Sequence, residues 1–291
     1  MDYFWIASAL VLGLLVGSFL NVVIYRLPLM LNAGWKHECE EFLSRMAGES
    51  VASETPEPSP STTFNIAFPN SHCPNCKKPI PAWCNIPIAS FLILGGRCLH
   101  CKAKISWRYP LVELVSGIAC AWLVAKFGVQ YSTLFLMVFT WTLIVLSLID
   151  IDHQLLPDIL TLPLLWAGLL INSFSYFTTL HAAVFGAAFG YLSLWSVYWL
   201  FKILTKKEGM GFGDFKLLAA LGAWMGWQSL PVIIILSSIV GAVVGSIMLL
   251  SSKSDRNSKI PFGPYLAMAG WISFFWGESI RQAYLHFVGI H

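Results

Sequence analysis

From Phe4 to Ile24 the chain runs for about 21 residues without one charged side chain. A helix of that length rises roughly 30 Å, the thickness of a bilayer's hydrocarbon core. Further apolar stretches follow at residues 110–126, 131–149, 159–177, 181–204, 215–230, 231–251 and 263–285. The break at 230–231 rests on Gly226, Gln228 and Pro231, which read as a short turn between two helices. Only 11% of the 291 residues are charged, against about a quarter in a soluble domain. Too few charges remain to clothe a soluble core of this size. The pattern predicts an all-α polytopic membrane protein with about eight transmembrane helices. No basic segment precedes Phe4, and the first basic residue, Arg26, follows the stretch. The first helix therefore reads as retained rather than as a removed leader.

The basic residues orient these helices. With the N-terminus outside, the inner segments are 26–109, 151–158, 202–216 and 252–261, and they hold all but Lys126 and Arg281 of the 18 Lys and Arg. Positive residues favour the cytoplasmic side, so both termini are expected on the periplasmic side. Three parts follow: a first transmembrane helix at 1–27, a cytoplasmic loop domain at 28–109, and a seven-helix core at 110–291. Within the loop, residues 50–63 (SVASETPEPSPSTT) are polar and proline-rich, the composition of a flexible linker. The pairs Gly13/Gly17, Gly186/Gly190, Gly222/Gly226 and Gly241/Gly245 have the spacing that lets helices pack closely in lipid.

The second half of the loop carries Cys73-Pro-Asn-Cys76 and Cys98-Leu-His-Cys101. Four thiolates in two C-x2-C knuckles can close a tetrahedral Zn2+ site, with the spacing of a zinc ribbon. A segment of about 40 residues is too small for a full hydrophobic core, so a metal can hold it together. Disulfides or free thiols are the other reading, and a reducing cytoplasmic side disfavours the disulfides. Four sulfurs leave no open coordination position, so the expected metal is structural. His72 and His100 read as surface residues beside the knuckles. Cys39, Cys84 and Cys120 receive no role, and no nucleic-acid partner is expected.

Acids are scarce in the apolar region: Glu113, Asp150, Asp152, Asp158, Asp214 and Glu278. Ionisable residues on membrane helices are functional candidates by default. Asp150, Asp152 and Asp158 cluster in LIDIDHQLLPD, and Asp214 opens a helix on the same predicted face after Gly209, Gly211 and Gly213. Two carboxylates brought together from these motifs would titrate as a unit. One could take a proton from water while the other polarises a carbonyl, as in aspartic proteases. Structural readings stand beside this one. Asp158 or Asp214 could cap its helix, Asp152 could be a solvated loop acid, and Glu113 could pair with Arg108.

Several motifs resemble those of the type IV prepilin peptidases, GxGD membrane aspartic proteases, over nearly the whole chain. They are GSFLNVVIYRLP (17–28), NIPIASFLILGGRCLHCKAKISWRYPLVEL (85–114), LIDIDHQLLPD (148–158), GMGFGDFKLLAALGAW (209–224) and PFGPYLAMAGW (261–271). Keeping both cysteine pairs is similar to the bifunctional members, which also methylate. The resemblance implies that Asp150 and Asp214 are the catalytic aspartates, that Asp152 is not required and that Asp158 is structural. It implies prepilin and pseudopilin substrates, cut after the glycine that ends a short basic leader at the cytoplasmic face of the bacterial inner membrane. S-adenosylmethionine then methylates the new N-terminal residue. Pilus or type II secretion assembly components would be partners, beside the lipid bilayer. No Gly-rich nucleotide motif shows where the methyl donor binds; the candidate is the loop at 70–109 with Gly95 and Gly96.

The same residues bear on two other functions. A zinc metalloprotease lacks its motif, since HECEE at 37–41 has no second histidine. A membrane transporter or scaffold with a zinc-binding loop would use the same buried acids as an ion path, although no internal helix repeat accompanies them.

Overall fold

Each of the eight apolar stretches contains a long helix. The computed structural model describes residues 2–46, 65–207, 209–250 and 261–288; the expected linker at 50–63 and most of the 252–261 segment lie outside them. The long helices are α1 (Asp2–Met46), α3 (Arg108–Phe127), α4 (Tyr131–His153), α5 (Asp158–Ser173), α6 (Leu180–Thr205), α7 (Phe212–Met225), α8 (Leu230–Leu250) and α9 (Gly263–Val288). A short α2 (Ala89–Ile93) lies in the cysteine loop. Among the described residues there is no sheet, only isolated antiparallel bridges joining His72 to Pro79 and Arg97 to Lys104.

Five helical segments, containing α1, α3, α4, α6 and α8, are long and apolar enough to cross a membrane. At 1.5 Å per residue, α5 and α7 rise only about 24 and 21 Å, less than a full hydrocarbon core. The first helix does not stop near Pro28 but continues to Met46. Its polar extension carries Lys36–Glu40 at 3.7 Å and Arg45–Glu41 at 2.5 Å, both spaced i,i+4. Such pairs support a helix on its own surface.

The chain folds as two compact units, Met1–Met137 and Val138–His291. In the first, α1 and α3 lie against each other through small residues. A Cβ on Gly13 would come within 2.7 Å of the Ser116 carbonyl oxygen, and one on Gly17 within 2.7 Å of the Glu113 Cα. Ser116 Oγ donates to the Gly13 carbonyl at 2.6 Å, and Asn21 Nδ2 donates to the Tyr109 carbonyl at 3.1 Å. In lipid the tails compete equally for apolar contact, so close packing and such hydrogen bonds hold helices together.

In the second unit α7 is the central element. It is apolar on every side, the pattern of an enclosed helix, and from Leu217 to Trp224 every residue is buried. Gly222 on α7 and Gly186 on α6 leave no room for a Cβ on either, since each would overlap the other's carbonyl. The expected packing role therefore holds for Gly186 and Gly222. On the α5 side Trp224 Nε1 donates to the Leu164 carbonyl at 2.8 Å. Asn172 Nδ2 donates to the carbonyls of Ala223 and Trp224 at 2.8 and 3.0 Å, closing the carbonyl end of α7.

Candidate active site and metal centre

Three helix ends meet around Asp150 and Asp214. Asp150 lies in the last turn of α4, which ends where Gln154 adopts φ 52 and donates its N–H to the Asp150 carbonyl at 2.9 Å. Asp214 is the third residue of α7, whose N-cap is Gly211. Gly263 is the first residue of α9, and its N–H donates to Asp150 Oδ2 at 2.9 Å. Each carboxylate therefore stands at a helix N-terminus, Asp214 at its own and Asp150 at that of α9. The unpaired N–H groups there favour negative charge.

Both aspartates are only 6% exposed. Leu156, from the loop between α4 and α5, packs under both positions. A Cβ on Gly213 would meet Leu156 Cβ at 2.7 Å, and one on Gly263 would meet Leu156 Cδ2 at 3.1 Å. Of the glycines before Asp214, Gly213 has a concrete use, since it lets Leu156 approach; a Cβ on Gly211 would make only ordinary contact, 3.8 Å from Asp214 Oδ2.

The neighbouring acids separate cleanly from this pair. Asp152 is exposed at the end of α4. Asp158 is not the N-cap of α5: the cap position is Pro157, and Asp158 is the first helical residue. Its two oxygens accept from Lys216 Nζ at 2.7 Å each, tying α5 to α7. Glu113 belongs to the other unit, where it is buried and accepts from the Ile88 N–H at 2.8 Å.

Gly263 and Leu156 were not singled out by sequence reasoning. The PFGP stretch marks a helix start, but nothing local says that its N–H reaches an acid 113 positions earlier. The contact yields a prediction. A Cβ on Gly263 would stand 2.7 Å from Asp150 Oδ2, closer than carbon and oxygen pack. Gly263→Ala is expected to displace that carboxylate and lower peptide cleavage by roughly 10²-fold, the order lost when a reacting group moves by about 1 Å. Thermal unfolding should shift little, which distinguishes misplacement from collapse; wild-type cleavage rates in the variant would refute the role.

The cysteine loop folds as two similar knuckles. In the first, the Cys73 N–H donates to the Lys78 carbonyl at 3.0 Å and the Lys77 N–H to the Cys73 carbonyl at 2.9 Å. In the second, Cys98 donates to Ala103 at 2.8 Å and Lys102 to Cys98 at 3.1 Å. Lys77 and Lys102 both take φ 58 to make the turn. The four Sγ atoms lie within 4.8 Å of one another, and Cys73 and Cys101 are 3.8 Å apart. A tetrahedron with Zn–S bonds of about 2.3 Å has edges of roughly 3.8 Å, so the residues fit a four-thiolate metal site. Backbone N–H groups of Cys76 and Asn75 pull the Cys73 thiol down to about 6. At Cys76 the Lys78 backbone pulls downward too, but burial and the Cys73 and Cys101 thiols outweigh it and push the group up to about 11. Four thiolates so placed would repel one another until a cation joins them.

Beside the knuckles is a cleft of about 540 Å³, lined by Gly95 and Gly96 together with Phe91, Trp107, Arg97 and Lys104. Both glycines are left-handed, at φ 60 and 67, so the tight turn that shapes this wall favours glycine.

Residues 11–127 match the model of the bacterial peptidase A24 N-terminal domain, and residues 137–246 match that of the type IV leader peptidase family. A prepilin leader peptidase/N-methyltransferase of Stutzerimonas stutzeri is 54% identical over 97% of this chain and 94% of its own length. The chain belongs to the type IV leader peptidase family. Proteins of the same description from Pseudomonas aeruginosa and Legionella pneumophila are 53% and 43% identical, each over 98% of this chain and over 95% and 96% of their own lengths. No solved structure matches the chain. Within this leader peptidase the first match takes in α3 and the cysteine loop, and the second takes in both aspartates. Gly263, which completes the surroundings of Asp150, lies beyond the end of the second match.

Proposed function

We propose that this chain cuts the short basic leader from type IV prepilins and pseudopilins with Asp150 and Asp214, then methylates the new N-terminus. The observation that carries the cleavage reading is the pairing of two buried carboxylates at helix N-termini in a membrane bundle. Two such carboxylates hold one proton between them. The ionised member takes a proton from water as the water oxygen attacks the scissile carbonyl carbon. The protonated member donates a hydrogen bond to the carbonyl oxygen, which carries the developing negative charge. Collapse of the tetrahedral intermediate breaks the C–N bond, and the departing nitrogen takes up a proton from the pair.

Cys73, Cys76, Cys98 and Cys101 would hold a Zn2+ ion that ties the two knuckles together. With four thiolates it has no open position, so hydrolysis stays with the aspartates. For the methyl donor, S-adenosylmethionine, the cleft at Gly95 and Gly96 is the candidate. Arg97 and Lys104 supply cations for a carboxylate, and Phe91 and Trp107 supply aromatic faces for a sulfonium and a base. In this reading residues 28–109 form the cytoplasmic loop, 110–291 the peptidase core, and both termini face the periplasm of an inner-membrane protein. The expected partners are the prepilins and the assembly components of pili or type II secretion.

The test is a reconstituted reaction. Purified chain in liposomes, given a prepilin and S-adenosylmethionine, should release the leader peptide and leave a mature pilin heavier by one methyl group, as read by mass spectrometry. An intact prepilin with correctly folded enzyme would overturn the reading.

A further inference from the structure

We infer that the segment from Trp83 to Ile93, with α2 at its end, is inserted into the membrane interface, its apolar side chains contacting lipid. α3 has 20 residues, so it rises about 30 Å and needs its whole length to cross the hydrocarbon. Arg108 then stands at one boundary and Lys126 at the other. Glu113, five positions inside the first boundary, lies roughly 7–8 Å into the apolar layer.

The loop segment reaches down to that depth. The Ile88 N–H donates to Glu113 Oε2 at 2.8 Å. Ser18 Oγ donates to the Asn85 carbonyl at 3.5 Å. Ser18 adjoins Gly17, which packs on Glu113, so both anchors lie about one turn below the surface. Ile88 is held at φ 58, a conformation β-branched residues rarely adopt; the surrounding contacts therefore fix this turn. The other edge is set by Phe91, whose ring meets Trp107 edge-on at 4.7 Å, and Trp107 directly precedes α3. Residues 85–91 are thus bracketed between the Glu113 level and the Trp107 level. Irregular backbone at such a depth is tolerated where protein groups satisfy it, and Ser18 and Glu113 do so here.

The exposed surface of this segment is apolar. Ile86, Leu92 and Ile93 are 53%, 66% and 76% exposed, and Trp107 is 74% exposed. The occupant that fits is the bilayer, because Trp107 stands one turn before Leu111, which is 59% exposed on a helix of membrane-spanning length. Charge points the same way. Between residues 65 and 112 there is no acid, while Lys77, Lys78, Arg97, Lys102, Lys104 and Arg108 are all basic. Such a segment is drawn to an anionic leaflet, and tryptophan at its edge suits the headgroup level. The same placement sets the candidate methyl-donor cleft at the membrane surface, a consequence that rests on the proposed function; the test does not depend on it.

A fluorescent amino acid is introduced by codon suppression at Ile93, and separately at Leu92, in the full chain in liposomes, with Lys102 as the water-facing reference. Brominated acyl chains should quench the probe at 93 and 92 at least about threefold more than at 102, and aqueous iodide should show the reverse order. Equal iodide quenching at 93 and 102 would overturn the inference. So would shielding of 93 from both quenchers, which would mean that protein rather than lipid covers it. Agreement between two highly exposed sites guards against a single misfolded variant.

Discussion

Asp150→Asn and Asp214→Asn are each expected to abolish prepilin cleavage, with rates falling roughly 10²–10⁴-fold, the range supplied by a positioned acid or base. Asparagine keeps the size of the side chain but can neither take the proton from water nor hold the shared one. The double variant should be hardly worse than the poorer single variant, because groups that act as a unit lose their whole effect with the first removal. Asp152→Asn is the control: Asp152 is exposed while the other two are 6% exposed, and cleavage should stay near wild type. Methylation of a precut pilin is expected to continue in both inactive variants, since the candidate donor cleft uses other residues. Near-normal cutting by either variant would remove that aspartate from the pair. Loss of methylation together with cleavage would argue instead for disturbed folding.

The helices were legible because uncharged length is a strong signal in a chain this apolar. The eight stretches and the four-cysteine cluster stand where hydropathy and spacing place them. Less legible were features decided by contacts far apart in sequence. The first transmembrane helix was expected to span 1–27, yet α1 continues to Met46 as a polar extension that carries i,i+4 ion pairs. Asp158 after Pro157 has the look of a cap, but Lys216 on α7 claims its carboxylate. Glu113 had Arg108 as its obvious neighbour, and its N–H donor comes from Ile88, in a loop that hydropathy alone sends into water. In the site itself, the two acids were visible as expensive residues near apolar helices. The N–H that receives Asp150 was not, since a backbone group carries no sequence signature.

Replacing any one of Cys73, Cys76, Cys98 or Cys101 with serine is expected to reduce bound zinc from one per chain to nearly none and to unfold the knuckles with it. The magnitude follows from what holds this segment. Among the described residues from 65 to 107, only Cys73 and Phe91 are buried apolar side chains, too little for a core, whereas a structural zinc contributes about 10–16 kcal/mol of coupled folding free energy. The four variants should behave alike, because the sulfurs form one closed set within 4.8 Å. Metal content measured by elemental analysis, together with protease cleavage within residues 70–106, reads both effects at once. A strong chelator should do the same to the wild-type protein, and added zinc should restore metal and protection together. Acidification should weaken uptake, since thiols must lose protons to bind. Zinc loss from a loop that stays protease-resistant would show that the metal does not hold the fold. A pattern in which three cysteines are needed and the fourth is dispensable would point to an open coordination position, and hydrolysis would then have to be reconsidered at the metal rather than at Asp150 and Asp214.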